Sequence, residues 1–289
     1  MRVVLALDWS EQAFNAVQAV TRLYTPEELT LLHAVDLRLF RAPLLTPPIA
    51  KQAFEEIRQA LVEAGDKLLD QAAGLVPPGP ASITRLVEIG APAEVILDTV
   101  QAVHADLVAV GARGRSQLTE LMLGSVSHRV LMHAACSVLV MKRSLSQLRR
   151  ALVAVEGPDD AERIVGWLRA YPFKQAVDLS VINVVPKPHV VDPVTIPALE
   201  PWEEAAIASA QDLVRDVATV LQDAGYKATG RALSGDPAQV IATEAADYDL
   251  LAVGSHGRKG LQRFLLGSVS HAVTRSAPCP VLVIRSLTQ

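Results

Sequence analysis

The sequence predicts an α/β protein built from two tandem domains, each with an open, five-stranded parallel sheet flanked by helices. An internal repeat is the first reason, because residues 111–128 recur at residues 254–271 with a constant offset of 143 (254 minus 111). The second is the alternation of short apolar runs with longer amphipathic segments, which is typical of strands and crossover helices in parallel sheets. The chain therefore contains one kind of domain twice.

Composition supports two domains. A chain of 289 residues has the length of two domains of ordinary size. Half of the residues are hydrophobic, 20% are charged and only 4% are aromatic, so the cores consist mainly of Val, Leu, Ala and Ile, as in covered parallel sheets. The short polar stretch 143–149 is predicted to join the domains, which gives domain one as residues 1–145 and domain two as residues 146–289.

The first domain is predicted to alternate strands and helices from its beginning. Its first strand ends at Asp8, and Ser10 is predicted to cap a helix over residues 11–23. A proline-rich loop at 36–48 precedes a helix at 50–73, whose apolar residues recur at steps of three and four. The other predicted elements are strands 2–7, 29–35, 83–87, 106–110 and 137–142, and helices that start near Pro92 and Gly124.

The second domain repeats this order. A loop with five prolines at residues 186–201 corresponds to the loop of the first domain. The dipeptides Asp236-Pro237 and Gly267-Ser268 are predicted to open helices. The remaining predicted elements are strands 151–155, 177–185, 227–233, 249–253 and 280–285, and helices at 160–170 and 202–224.

The repeated glycines indicate an anion site. Gly111 and Gly254 each fall at the carboxyl end of a predicted strand, where open sheets bind ligands. A second glycine three residues later lets a ligand approach backbone N–H groups. The helix that begins near Gly124 adds unpaired N–H donors and a partial positive charge, which favour phosphate.

At these residues the chain resembles the universal stress protein family, whose nucleotide-binding members carry the pattern G-x2-G-x9-G-[S/T]. Both copies match this spacing. The resemblance implies a Rossmann-like fold of the adenine nucleotide alpha-hydrolase type, with ATP, alone or together with Mg²⁺, as the cofactor. It places Asp8 at the ribose and the backbone of Ala34 at the adenine. The phosphates would be held by Gly111, Gly114, Arg115, Gly124, Ser125, Val126 and Ser127.

The second domain departs from the family pattern at one position. Its first strand is followed by Glu156, where the resemblance expects an aspartate. Domain one is therefore predicted to match the family's nucleotide site more closely than domain two. In domain two Val184 would take the adenine-side position, and the phosphate side would consist of Gly254, Gly257, Arg258, Gly267, Ser268, Val269 and Ser270.

Several classes of function are disfavoured. The net charge is −4 and there is no basic tract, so nucleic acid is a poor partner. No apolar run reaches the ~18 residues of a membrane span and no signal peptide is apparent, which predicts a cytoplasmic protein. The two cysteines precede the last strand of each domain and are expected to be buried thiols. The seven histidines form no metal-binding pattern.

Three functions remain open. The first is a nucleotide-responsive regulatory protein that presents different surfaces to a partner protein. The second is a nucleotide-free interaction or chaperone-like module, and the third is a weak ATPase. Hydrolysis is expected to be slow at most, because neither a Gly-x-x-x-x-Gly-Lys loop nor a Gly-x-Ser-x-Gly elbow occurs. The resemblance also implies that the terminal strands pair the two domains in a pseudo-two-fold arrangement. A homodimer is compatible with the sequence.

Overall fold

The computed structural model describes residues 1–38, 48–79, 81–114, 123–187, 196–255 and 266–286, with residues 48–51 and 196–200 described by their backbone alone. Its contacts divide the chain into two compact units, Met1–Ser144 and Leu145–Gln289. We refer to them as the first and second unit.

The first unit contains a parallel sheet in the order β3-β2-β1-β4-β5. The order reverses between β1 and β4, and this is the place where open parallel sheets form a binding crevice. Its strands are β1 (Arg2–Ala6), β2 (Glu28–Val35), β3 (Ser82–Ile89), β4 (Leu107–Gly111) and β5 (Ser137–Met141), and its helices are α1 (Glu11–Leu23), α2 (Pro48–Ala73), α3 (Pro92–Ala102) and α4 (Ser125–His133).

The second unit has the same topology. Its sheet runs β8-β7-β6-β9-β10 with parallel neighbours throughout. The strands are β6 (Arg150–Ala154), β7 (Asp178–Val185), β8 (Lys227–Ser234), β9 (Leu250–Gly254) and β10 (Val281–Ile284), and the helices are α5 (Pro158–Ala170), α6 (Ile196–Asp223), α7 (Pro237–Glu244) and α8 (Ser268–Ser276). The predicted fold class, an α/β fold with two tandem domains, is confirmed.

The start of α1 shows how the sequence fixes the first crossover. Ser10 caps the helix, as predicted, because its Oγ accepts a hydrogen bond from the N–H of Ala13 at 3.3 Å. The apolar face of the helix, including Val17 and Val20, is fully buried. Because α1 begins at Glu11, Asp8 and Trp9 lie in the short connection that follows the carboxyl end of β1.

Glutamine side chains of α6 cover the outer edge of the second sheet. Gln211 donates from Nε2 to the carbonyl of Gly230 at 3.2 Å and accepts at Oε1 from the N–H of Ala232 at 3.0 Å. Gln222 donates to the carbonyl of Ala228 at 2.7 Å. These bonds satisfy backbone groups that an edge strand would otherwise leave open. They also hold α6 close to β8.

One predicted loop is partly wrong. Residues 196–201 belong to α6, and Pro201 lies inside this helix, although the five prolines favoured a loop up to residue 201. Pro197 lies in the first turn, where a helix leaves N–H groups unpaired, so proline loses nothing there. Residues 188–195 of the predicted loop lie outside the described residues.

Cys136 and Cys279 are both buried, as predicted. No helix in the described part of the chain is long and apolar enough to cross a membrane.

Candidate functional site

The first unit has a cavity of about 230 Å³ at the carboxyl edge of its sheet. It lies where β1 and β4 end, at the reversal of strand order. The structure brings eight of the predicted site residues of this domain together in its lining: Asp8, Ala34, Gly111, Gly114, Gly124, Ser125, Val126 and Ser127.

The carboxylate of Asp8 is oriented by the residue that caps α1. Its Oδ1 accepts hydrogen bonds from the backbone N–H of Ser10 at 3.0 Å and from the Ser10 hydroxyl. Its Oδ2 faces Gly114, where a Cβ would lie only 2.9 Å away. Asp8 therefore both supports the helix start and presents one oxygen to the cavity.

The loop 111–114 and the start of α4 form the other wall. Gly124 is the N-cap of α4 and donates its N–H to the carbonyl of Ala112 at 2.8 Å. The Ser127 hydroxyl donates to the same carbonyl at 2.8 Å, and the N–H of Ala112 donates to Met141 of β5 at 2.7 Å. These bonds fix the loop against the helix. The N–H groups of the first turn of α4, which have no partner within a helix, are thereby turned toward the cavity.

Two residues that the sequence did not assign to specific ligand contacts also line this cavity. Arg113 lies within the 111–114 loop and is the one Arg or Lys among the described lining residues. His33 donates from Nδ1 to the carbonyl of Leu7 at 2.8 Å, since a carbonyl can only accept. The sequence could have identified both residues from their positions near the ends of β4 and β2, because side chains at strand ends converge on this edge.

Three predicted site residues lie outside the described residues: Arg115, Gly257 and Arg258. Within the ranges that the structure describes, no three or more His, Cys, Asp or Glu side chains are grouped to hold a metal ion.

The second unit has a larger cavity, of about 520 Å³, at the equivalent edge. Of the predicted residues, Val184, Gly254, Val269 and Ser270 line it, whereas Gly267 and Ser268 do not. Glu156, which stands where the family pattern expects an aspartate, is at its rim. The second unit thus keeps the adenine side of the predicted site but exposes less of the helix start to the cavity.

A buried acid that the sequence did not single out occupies the second cavity. Asp160 is only 6% exposed, and a Cβ placed on Gly254 would lie 1.6 Å from its Oδ1. In the first unit the corresponding neighbour of Gly111 is Gln12. A Cβ placed on Gly111 would lie 3.1 Å from the Cβ of Gln12. The carboxyl group of Asp160 therefore fills the space that the glycine leaves open.

Burial raises the pKa of Asp160 from 3.8 to about 6. The N–H of Glu156, which donates to Oδ2 at 3.1 Å, and the Arg163 guanidinium, 3.6 Å from Oδ1, oppose this rise, and the negative charge of Glu156 adds to it. Oδ1 has no hydrogen-bond donor. The pKa remains raised because the two favourable partners do not replace the lost hydration.

Both halves of the chain match one protein family. The family model for the universal stress protein family matches residues 1–142 and again residues 147–285. The chain belongs to the universal stress protein family. The match confirms the resemblance seen in the glycine pattern, and it covers nearly the whole chain as a tandem pair.

Known family members resemble the whole chain or one half of it. A universal stress protein of Mycobacterium tuberculosis is 28% identical over 298 residues, covering 99% of this chain and 97% of the relative. The Bacillus subtilis protein YxiE is 30% identical over 145 residues, which are 49% of this chain and 98% of that protein. Alignments with relatives from Mycolicibacterium smegmatis and Mycobacterium bovis cover 62% of each relative's length.

Solved structures agree on the fold. A universal stress protein from Archaeoglobus fulgidus superposes with a TM-score of 0.65 at 21% identity, covering 99% of this chain and 96% of that one. A family protein from Arabidopsis thaliana, with AMP bound, is 19% identical over 48% of this chain, with a TM-score of 0.34.

Proposed function

We propose that the first unit of this universal stress protein binds an adenine nucleotide, with ATP as the expected ligand, and that nucleotide binding regulates which surface the protein presents to a partner protein. The observation that carries the proposal is the single cavity in which Asp8, the 111–114 loop and the first turn of α4 meet. The protein is proposed to act as a regulator rather than as a dedicated catalyst.

The chemistry of that cavity matches the parts of a nucleotide. The free Oδ2 of Asp8 can accept hydrogen bonds from ribose hydroxyls. The N–H groups at the start of α4 and the guanidinium of Arg113 suit phosphate oxygens. The wall formed by Ala34 and Ile96 is apolar and suits a base.

Cavity size alone would favour the second unit. The 230 Å³ of the first cavity falls below the ~300–1,000 Å³ of typical ligand pockets, so a nucleotide there would remain partly open to solvent. The chemistry of the lining nevertheless favours the first unit, because the second cavity has a carboxyl group against its first glycine. That group would repel phosphate.

The direct experiment is to denature the purified protein, separate the released small molecules by chromatography and quantify nucleotide per chain. One adenine nucleotide per chain is expected, or saturable binding of Mg–ATP by calorimetry if the site is purified empty. A protein that releases no nucleotide and is not stabilised by excess Mg–ATP would contradict the proposal. That result would favour the nucleotide-free interaction module.

Asp8→Asn is expected to weaken Mg–ATP binding at least tenfold. A hydrogen bond to a charged carboxylate contributes ~1.5–3 kcal/mol, and ~1.4 kcal/mol corresponds to a factor of ten in affinity. Asparagine keeps an acceptor for Ser10, so the start of α1 should persist. Isothermal titration calorimetry measures the change.

Glu11→Gln is the matched control for this variant. Glu11 is exposed in the first turn of α1 and lies outside the cavity lining, yet its replacement removes the same unit of charge. Its affinity should equal that of the unmodified protein. Equal affinities for the unmodified protein and both variants would show that Asp8 does not contribute to nucleotide binding. Phosphate release above background would instead support the ATPase alternative.

A further inference from the structure

One edge of the first sheet is open. β3 is its outermost strand and pairs on one side only, with β2, in a register that runs without interruption from Ser82 to Ile89. Six of its eight residues are exposed. The strand contains neither proline nor lysine, the residues that commonly protect such an edge. Its backbone is therefore accessible to another strand.

The equivalent edge of the second unit is covered. Gln211 and Gln222 form hydrogen bonds with backbone groups on the outer side of β8. No side chain among the described residues forms such a bond with the backbone of β3. The two edges thus differ in whether they can pair with a further strand.

Alternate residues of β3 direct their backbone groups to the open side. The N–H groups of Ser82 and Gly90 donate toward β2 at 2.9 and 3.1 Å. Consecutive residues of a strand direct these groups to opposite sides, so the odd-numbered residues face away from β2. The open N–H and C=O groups belong to Ile83, Arg85, Val87 and Ile89.

These four residues complement a second copy of the same strand. With a two-fold axis at Leu86, Ile83 lies opposite Ile89 of the second copy, and Arg85 lies opposite Val87 of the second copy. Every pair then joins two residues with open backbone groups and can exchange both N–H···O=C bonds. Ile83 and Ile89 are each 41% exposed, and the pairing would cover them with one another.

The neighbouring symmetric registers are poorer. An axis at Arg85 would place two guanidinium groups directly opposite each other, which destabilises a strand pair. An axis at Val87 would leave Ile83 without an opposing strand residue, because β3 ends at Ile89. With the axis at Leu86, the charge of Arg85 is met within its own chain by the ion pair with Asp70 of α2.

We propose that two copies of this chain associate edge to edge through β3, as an antiparallel pair with Leu86 on the two-fold axis. Such an interface is closed, because each copy uses the same edge once. A strand pair buries less surface than a typical permanent interface, so the dimer is expected to dissociate on dilution. The pairing involves neither cavity, and it would fail or succeed independently of nucleotide binding.

Leu86→Cys tests the register. At this position the Cα atoms of the two copies would lie about 4.5 Å apart, within the range of a disulfide. Thr84→Cys is the matched control on the same face, because its two copies would be separated by about 13 Å along the strands. Under the same mild oxidation we expect roughly tenfold more covalent dimer from Leu86→Cys, measured by non-reducing electrophoresis.

Arg85→Pro tests the backbone bonds. Proline removes an N–H that points to the open side, so the β2 ladder should persist. Each copy loses one bond to the other, and dimerisation is expected to weaken roughly tenfold or more in sedimentation velocity over a dilution series. Arg85→Val removes the same side chain but keeps the N–H, so it should associate like the unmodified protein.

A charge exchange tests the contact between the isoleucines. Ile83→Lys combined with Ile89→Lys should prevent association, because like charges would lie opposite each other. Ile83→Lys combined with Ile89→Glu should restore it, since opposite charges would then face each other across the pair. Both double variants change exposed residues, so a folding defect would affect them alike.

Several results would overturn the proposal. The first is an unmodified protein that stays monomeric at every concentration. The others are equal cross-linking of Leu86→Cys and Thr84→Cys, equal association of the two double variants, and an Arg85→Pro protein that associates as tightly as Arg85→Val. Loss of ATP binding in the first unit would change none of these measurements.

Discussion

Gly230→Ala is expected to destabilise the second unit by about 3 kcal/mol, the upper part of the usual range for overpacking. A Cβ at this position would lie 2.4 Å from the backbone carbonyl oxygen of Val214. A backbone atom of α6 cannot rotate away, so the helix must shift from β8 and strain the Gln211 hydrogen bonds to the strand. Urea denaturation followed by tryptophan fluorescence measures the loss in a Trp9→Phe background, where the remaining tryptophans, Trp167 and Trp202, both lie in the second unit.

Gly166→Ala is the matched control. Gly166 lies in α5, and a Cβ there would meet no atom within 4 Å. Replacement of a helical glycine by alanine is expected to stabilise by about 0.5–1 kcal/mol. The same chemical change should therefore have opposite signs at the two positions. A Gly230→Ala protein as stable as the unmodified one would show that α6 is not packed closely on β8.

Lowering the pH should stabilise the second unit through Asp160. Its pKa is about 6 in the folded protein against an ordinary value of 3.8, so the folded state holds the proton more tightly than the unfolded state. This contribution is fully present below pH 3.8 and is lost as the pH rises through about 6. Between about pH 7.5 and about pH 4.5 it amounts to about 2 kcal/mol.

The contribution is isolated by comparison with Asp160→Asn. Arg163 and Glu156 face Asp160, and other carboxylates and histidines also titrate in this range. These groups are present in both proteins, so their effects largely cancel in the difference between the two pH profiles. The unmodified protein should gain about 2 kcal/mol more than the variant over this range. Parallel profiles would mean that Asp160 has an ordinary pKa.

The two units differ at the residue that faces the first glycine of the repeated motif. Both retain the first glycine at the end of the fourth strand, and both begin a helix at the Gly-Ser pair. The neighbour of that glycine differs, being Gln12 in the first unit and Asp160 in the second. A carboxylate at this place changes the charge that the cavity accepts. We therefore expect duplication of the motif without duplication of its ligand.

Most of the fold was determined by local sequence. Apolar runs of strand length, the caps at Ser10 and Asp236 and the prolines at helix starts define elements whose ends agree with the structure within a few residues. These signals are local, because capping and helical periodicity depend on residues within one or two turns. The repeat at a constant offset of 143 then predicted two copies. The start of α6 was predicted wrongly because the five prolines at residues 186–201 favoured a loop.

The candidate sites were only partly determined by sequence. The glycine pattern and Asp8 predicted the first cavity, since strand ends and helix starts converge at one edge of a parallel sheet. Asp160 carries no sequence signal of its own, because an acid in a first helical turn is an ordinary residue. Its importance comes from its burial and from its contact with Gly254, which is distant in the chain. That contact depends on how α5 packs against β9, which only the tertiary structure decides.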